Sequence, residues 1–471
     1  MKLKPGGIYR KLGAMAPTLL GIVVTIISGQ AWSGPVLPVS AMEALVTRSV
    51  NGDAAALAVA RGFRPGRPFV VRVLDRPHLA AEREAAMRSA RSPGVAAAES
   101  RMLALMGLAG RRAADDTDAE KSSPVDVTGF YDPVSKRILV GNWAGFEGGR
   151  AARLKDIAEG LLDRRFGLAG ERPGERPRRG REPARENAAE GDALWARLAL
   201  FEGDATVQTL ERLSPDGALT PTPTLAVEVE GVRQIVDAED QTTAPLELAH
   251  RLFVALDGST FVAGVRARAP WATVNQLWAR PPASTEQVLH PDKYERHESP
   301  DDVDAHWISR RAGARTQDEV VYSDTLGELG ARAFLRRAVG DYRAERGAAG
   351  WGGDRVRLLR GPETGGGAAP EFVTWVTTWD DVSDAQDFAE QAVLALGSLA
   401  GATLTEVEPA SRRARVAHAP RRWRAVDAQG RTFALDCQNR AVTLLIGAPE
   451  SAERSLSALT TAVSSLRRSA H

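Results

Sequence analysis

The stretch LKDIAEGLLDRRFGL, residues 154–168, constrains the fold of this chain most strongly. Its apolar residues recur every three or four positions, which is the spacing of one face of an amphipathic helix. On the polar side, Lys155 and Glu159 are four residues apart and point the same way, with Asp156 beside Lys155. Two histidines at this spacing would hold a zinc ion, and neither position is a histidine.

Hydrophobic patterning in the rest of the chain predicts an α+β fold that is mainly α-helical. The length of 471 residues suggests about two or three domains. We expect an α-rich N-terminal lobe at 34–120, a core at 121–300 that contains the motif helix, and a C-terminal α+β domain at 301–471. Other predicted elements are helices at 36–61, 78–88, 96–108, 187–210, 252–265, 271–278, 322–339 and 381–399, and strands at 67–74, 372–379, 422–426 and 441–446.

Three turn or loop segments lie between these elements. In residues 125–140, two alternating apolar runs flank the turn-forming sequence DPVS, which predicts a β-hairpin directly before the motif helix. Residues 169–186 are rich in arginine and proline with nearly balanced charges, which predicts a solvated, mobile loop; a basic docking segment is the alternative. The glycines at 347–353 lack the strand-then-helix context of a nucleotide loop and predict a tight turn with Trp351 packed.

The N-terminus predicts export. Four basic residues precede an apolar run at 19–27, and Ala31-Trp32-Ser33 offers small residues where a signal peptidase cleaves. We expect residues 1–33 to be a cleaved signal peptide and the protein to be periplasmic, cell-envelope or extracellular. An uncleaved anchor is the alternative, and only then would the protein contact a membrane. The 61 basic and 60 acidic residues give no reason to expect a nucleic-acid partner.

Several classes of active site are absent from the sequence. It contains no GxSxG elbow, no GxxxxGK[ST] loop and no CxxC pair. The single cysteine, Cys437, has no cysteine partner in the chain and is expected to be a buried small residue rather than a nucleophile. His250, His297 and His306 show no HxH or HxxxH spacing and are weak candidates for metal ligands.

Several segments occur in an order that resembles exported bacterial relatives of the HExxH zinc metallopeptidases of the gluzincin type. The resemblance spans roughly residues 65–385 and is carried by the following segments: GFYDPVSKRILV at 129–140, the motif helix, ALFEGDAT at 199–206, PPASTEQVLHPDKY at 281–294, the glycine-rich segment at 347–355 and TWD at 378–380. It implies a metallopeptidase-like core with the β-hairpin before the motif helix. In that family two histidines and a downstream glutamate bind zinc, and the glutamate after the first histidine is the general base.

The resemblance implies that this chain lacks the metal-binding residues of the family at most of the metal-site positions. Lys155 and Glu159 stand where the family has its two histidines, Asp156 stands at the general-base position, and Glu202 matches the third ligand. A lysine near neutral pH is an ammonium with no lone pair for a metal. We therefore expect no catalytic zinc, no other cofactor and no catalytic residues. His290 matches a family histidine near the cleft; a structural role beside Pro291 is the alternative.

An ion pair replaces the metal in our interpretation of these positions. The Lys155 ammonium is predicted to pair with Glu159 and Glu202 and to tie two helices together; the alternative is that Lys155 and Glu159 are solvated on an exposed helix face. The function expected is binding of a peptide or an envelope protein in the former active-site cleft, without cleavage. The competing hypotheses are an active zinc-dependent peptidase with an atypical ligand set, and a structural envelope protein.

Overall fold

The computed structural model describes residues 39–64, 66–88, 93–110, 128–143, 149–167, 191–214, 244–303, 318–362, 369–407 and 420–464. The predicted signal peptide, the loop predicted at 169–186, Leu168 and His306 lie outside these ranges. Within them, no helix is both long and apolar enough to cross a bilayer. The fold is α+β, as the sequence predicts, with two β-sheets.

The helices are α1 Val39–Ala60, α2 Arg76–Arg88, α3 Pro93–Leu105, α4 Arg150–Phe166, α5 Gly191–Leu213, α6 Pro245–Leu252, α7 Gly258–Arg268, α8 Trp271–Leu277, α9 Thr285–Leu289, α10 Pro291–Glu295, α11 Gly327–Val339, α12 Asp341–Ala348, α13 Val382–Ala400 and α14 Leu456–Ser464. A π-helical turn, Phe253–Asp257, joins α6 to α7, and a 3-10 turn, Glu450–Ser455, precedes α14. The strands are β1 Val70–Leu74, β2 Gly129–Asp132, β3 Arg137–Gly141, β4 Glu319–Asp324, β5 Trp351–Arg360, β6 Glu371–Trp379, β7 Thr405–Glu406, β8 Arg421–Val426, β9 Thr432–Gln438 and β10 Ala441–Ala448.

A three-stranded sheet lies beside the motif helix, which is α4. Its order is β1-β3-β2, with β1 parallel and β2 antiparallel to β3. β2 and β3 form the predicted hairpin, and the Asp132 carboxylate accepts the Val134 N–H in its turn. The Tyr131 hydroxyl and the Lys136 ammonium both donate to the buried Asp163 carboxylate of α4. The hairpin is thereby attached to the motif helix at one carboxylate.

Helix α5 crosses α7 with the two backbones in contact. A Cβ on Gly203 would lie 2.1 Å from the carbonyl oxygen of Gly258, and a Cβ on Gly258 would lie 2.2 Å from that of Ala199. Neither glycine could carry a side chain without pushing the helices apart. Since α5 also packs against α4, this crossing helps to set the position of α5 beside the motif helix.

The second sheet is antiparallel, with seven strands in the order β4-β5-β6-β10-β9-β8-β7. On one face, the rings of Trp375 and Trp379 lie 5.7 and 4.5 Å from the ring of Phe388 in α13. The opposite face packs against α14. Cys437 is buried in β9, and burial raises the pKa of its thiol to about 12, so the expectation of a buried small residue holds.

Two predicted elements need correction. The helix predicted at 322–339 is wrong at its start, because residues 322–324 end strand β4 and pair with β5. Helix α11 begins only at Gly327, whose φ of 71° suits glycine. The glycine-rich turn predicted around Trp351 is shorter than expected: Gly350 has a φ of 76°, and Trp351 is buried as predicted but is the first residue of β5. Strand β9 was not predicted.

The buried apolar residues form two main clusters. The first joins α1, the small sheet, α4, α5, the π-helical turn and helices α7 to α9, and it includes Leu329 of α11. The second joins α11, α12, α13 and one face of the large sheet; α3 contributes Ala98 and Met102 to it, and Met106 directly after α3 also belongs to it. Helices from the predicted N-terminal lobe are therefore divided between the two clusters.

Candidate functional site

Helices α4 and α5 bring together the residues at the degenerate metal positions. Lys155 and Glu159 lie one turn apart on α4, and Glu202 lies on α5. The Lys155 ammonium donates to the Glu159 carboxylate and lies 2.6 Å from Oε2 of Glu202. The predicted ion pair between the two helices is thus confirmed. We call Lys155, Asp156, Glu159 and Glu202 the Lys155 cluster.

The cluster is largely buried. The side chain of Lys155 is 7% exposed, and those of Glu159 and Glu202 are 12% and 15% exposed. The alternative of a solvated, exposed helix face is therefore wrong. Burial by itself disfavours the ammonium, but the carboxylates of Glu159 and Glu202 outweigh that effect and raise the pKa of Lys155. Lys155 is consequently a permanent cation in the folded protein.

Two acidic members of the cluster, Glu159 and Asp156, are shifted toward their neutral forms. Burial raises the pKa of Glu159 to about 7, with Lys155 opposing the shift and Glu202 adding to it. Burial, and then Glu159, raises the pKa of Asp156 well above its ordinary value. Asp156 Oδ2 has no hydrogen-bond partner in the described part of the chain and faces Gly129 of β2, where a Cβ would lie 3.4 Å away. Burial therefore favours the protonated form of the Asp156 carboxyl group.

The residues of the cluster do not fit a zinc ion. A catalytic zinc site needs three lone-pair donors and an open fourth position for water. Here Lys155 supplies a cation, and it already contacts both carboxylates that could act as ligands. In the ranges that the structure describes, no group of three or more His, Cys, Asp or Glu side chains has the arrangement of a metal site.

The EGDAT segment has a structural role at each of its first three residues. Glu202 binds Lys155, and Gly203 allows the close crossing with α7. The fully buried Asp204 forms a two-point ion pair with Arg61, whose Nη2 lies 2.9 Å from Oδ2 of Asp204. Asp204 also accepts the indole N–H of Trp278 at 2.8 Å. Sequence analysis missed Arg61, which lies 143 positions away from its partner.

The structure places His290 against α11. Its Nε2 lies 3.0 Å from the carboxylate of Glu328, which is fully buried and also accepts from Arg332. Arg332 and His290 together outweigh burial and hold the pKa of Glu328 below its usual range. His290, which lies between α9 and α10, therefore connects this turn to α11. Elsewhere, His250 stacks on Trp195 with ring centroids 3.7 Å apart.

Sequence analysis also missed a second buried ammonium. Lys293 Nζ lies 2.5 Å from a carboxylate oxygen of Glu286, 2.5 Å from one of Asp380 and 3.1 Å from one of Glu298. Lys293 belongs to the segment at 281–294 and Asp380 to TWD, two of the segments that carry the resemblance. Because both segments carry the resemblance, the sequence could have indicated that they lie close together. The Lys293 contacts join α9 and α10 to the end of β6.

The C-terminal part of the chain is similar to one known family. The sequence model of a domain of unknown function (DUF8575) matches residues 315–458. The matched range contains the whole seven-stranded sheet and lies C-terminal to the Lys155 cluster. No curated protein and no solved structure matches the chain.

Proposed function

We propose that the chain is an exported binding protein, with an architecture related to gluzincin metallopeptidases, that has lost catalysis. The observation that carries this proposal is the Lys155 ammonium, which pairs with Glu159 and Glu202 at the positions that the resemblance assigns to a metal site. With an ammonium there, no Lewis acid lowers the pKa of a water molecule. Burial raises the pKa of Asp156, at the general-base position, well above its usual range and so disfavours the carboxylate form that a general base needs.

The proposed binding site is the surface beside α4 and α5 at which Glu159 and Glu202 are partly exposed. Glu159 and Glu202 are the partly exposed members of the cluster, and each turns one oxygen toward Lys155. We propose that a peptide or an unfolded segment of an envelope protein binds there without being cut. Export to the periplasm, the cell envelope or the outside of the cell belongs to the same proposal.

The test is the metal content of the purified full chain together with its action on a denatured, carboxymethylated protein substrate. We expect substoichiometric zinc, no hydrolysis, and binding that Glu202→Gln weakens several-fold. Glu390→Gln is the matched control, because the Glu390 side chain lies on α13 and is 58% exposed. It should leave binding unchanged.

Three results would overturn the proposal. Stoichiometric zinc that is lost in Glu202→Ala would support an active peptidase with an atypical ligand set, as would hydrolysis abolished by that substitution. Absence of both binding and hydrolysis would support a structural envelope protein. As a positive control for metal analysis, Lys155→His combined with Glu159→His should bind zinc, because it restores two imidazoles one turn apart facing Glu202.

A further inference from the structure

The N-termini of α5 and α11 meet at buried carboxyl groups remote in sequence from the Lys155 motif. Asp192, in the first turn of α5, is 2% exposed; its carboxyl group lies 3.0 Å from the backbone nitrogen and 2.7 Å from the hydroxyl oxygen of Thr285 in α9. Asp354 of β5 is 3% exposed and accepts the N–H groups of Leu326 and Gly327, each at 2.9 Å. We call this region the Asp192 junction.

The junction connects the two apolar clusters through direct packing on glycine. A Cβ on Gly327 would lie 1.7 Å from Oδ1 of Asp192, and a Cβ on Gly191 would lie 2.0 Å from Oδ1 of Asp324. Each carboxyl group therefore lies against the backbone of the opposite segment. Asp192 comes from a helix of the first cluster, whereas Asp324 and Gly327 belong to the region that packs as the second.

The charged groups around Asp192 are mostly acidic. Asp354 faces it from β5, Glu328 from α11, and Asp324 lies beside Gly191 from β4. The cations of this region act on the other carboxylates, since Arg332 and His290 contact Glu328 and Arg355 acts on Asp354. The polar groups that contact Asp192 itself belong to Thr285.

These surroundings favour the neutral form of Asp192. Burial raises its pKa to about 7; the Thr285 hydrogen bonds oppose this, and the charges of Asp354 and Glu328 add to it. In the structure the Thr285 N–H and the Thr285 hydroxyl both donate to the Asp192 carboxyl group. When Asp192 is protonated, one of its oxygens can still accept the Thr285 N–H, and its O–H can donate to the Thr285 hydroxyl oxygen once that hydroxyl turns its own hydrogen away. An ionised Asp192 adds a negative charge next to Asp354 and Glu328 in a region of low dielectric.

We propose that the Asp192 junction is a proton-controlled latch between the helical core and the seven-stranded sheet. It is closed while Asp192 carries a proton, and it loosens when Asp192 ionises. Proton linkage gives the direction of the pH dependence. From about pH 4 to pH 7 the closed state binds one more proton than an open state in which Asp192 is solvated. Opening is therefore favoured as pH rises through this window, and the dependence ends above pH 7.

Hydrogen exchange on the full-length protein tests the latch. After correction for intrinsic exchange rates, the opening constant at the amides of Thr285, Leu326 and Gly327 should rise by up to about tenfold per pH unit between pH 5 and 7. It should level off at higher pH. In Asp192→Asn the Thr285 amide should show no such rise, because the amide side chain can donate to the Thr285 hydroxyl at every pH. The amides of Leu326 and Gly327 should keep a smaller rise, because they donate to Asp354, whose pKa burial raises to about 6.

The control variant is Asp387→Asn, which removes an exposed carboxylate of α13 and should keep the wild-type slope. The proposal fails if the wild-type opening constant is independent of pH, or if Asp192→Asn keeps the wild-type slope. If Asp192→Asn does not fold, the wild-type protein alone decides the question. A slope of equal size at the amides of β9 and β10 would then mean global destabilisation and would rule out a local latch.

Discussion

At the scale of single residues, Lys155 is the informative side chain. Its ammonium lies between two carboxylates from different helices, and only 7% of the side chain is exposed. An ion pair at such depth need not stabilise the fold more than apolar residues would, because desolvation of three charged groups is costly. Removing only the cation, however, leaves the carboxylates of Glu159 and Glu202 close together without a positive charge between them. The tie between α4 and α5 therefore depends on Lys155.

The first prediction concerns this tie. Lys155→Met should lower the free energy of unfolding by about 3–5 kcal/mol, the cost of breaking a buried ion pair from one side. Urea denaturation at pH 7 measures it. Arg343→Met is the matched control, because Arg343 is an exposed cation on α12 and its loss should cost less than about 0.5 kcal/mol. An unchanged or higher melting temperature in Lys155→Met would show that the ion pair is not a structural tie.

At the scale of secondary-structure elements, the placement of the site depends on how α5 crosses its neighbours. The Gly203–Gly258 crossing brings α5 against α7, while Glu202, one residue earlier, points to α4. Asp204, one residue later, is bound by Arg61. Three consecutive residues thus attach α5 to three different parts of the first cluster.

The second prediction is made at this crossing. Gly203→Ala should destabilise the protein by about 3 kcal/mol, because its methyl group would overlap the Gly258 carbonyl and the helices would have to separate. Gly264→Ala in α7 is the control, since nothing lies within 4 Å of a Cβ there. That variant should be neutral or more stable by up to about 1 kcal/mol through helix propensity. Equal effects of the two substitutions in thermal unfolding would contradict the close contact.

At the scale of the whole molecule, the large sheet is not covered by the C-terminal residues alone. Helix α3 packs against β4, β5 and β6, although about 200 residues separate it from them in the sequence. Met102 of α3 and Met106 directly after it are about as buried as Trp375 and Trp379 of the sheet. The range matched by the family of unknown function therefore excludes part of its own apolar core.

The third prediction tests this dependence. Met102→Ala should cost about 2–4 kcal/mol and should reduce amide protection in β5 and β6 more than in α4. Val95→Ala is the control on the same helix, because Val95 is 43% exposed and its truncation should change the stability little. If Met102→Ala lowers protection in α4 but not in the large sheet, the assignment of α3 to the second cluster is wrong.

Local sequence patterns were sufficient to predict several elements of this fold. The β-hairpin and the motif helix were predictable because their hydrogen bonds and their apolar faces involve residues close in sequence. The facing of Lys155 and Glu159 follows from helix geometry alone. The contact between Lys155 and Glu202 could not be predicted from helix geometry, because only the resemblance indicated that α4 and α5 lie side by side.

The remaining features depend on contacts between distant segments. The start of α11 was misplaced because residues 322–324 are held by β5, a strand that follows later in the chain. Lys293 is 87 positions from Asp380, and Asp192 is 93 positions from Thr285. Periodicity shows which face of an element is buried, but it does not show which other element covers that face. Desolvation, and with it the raised pKa of Asp156 and Asp192, is therefore set only when the helices and sheets pack together.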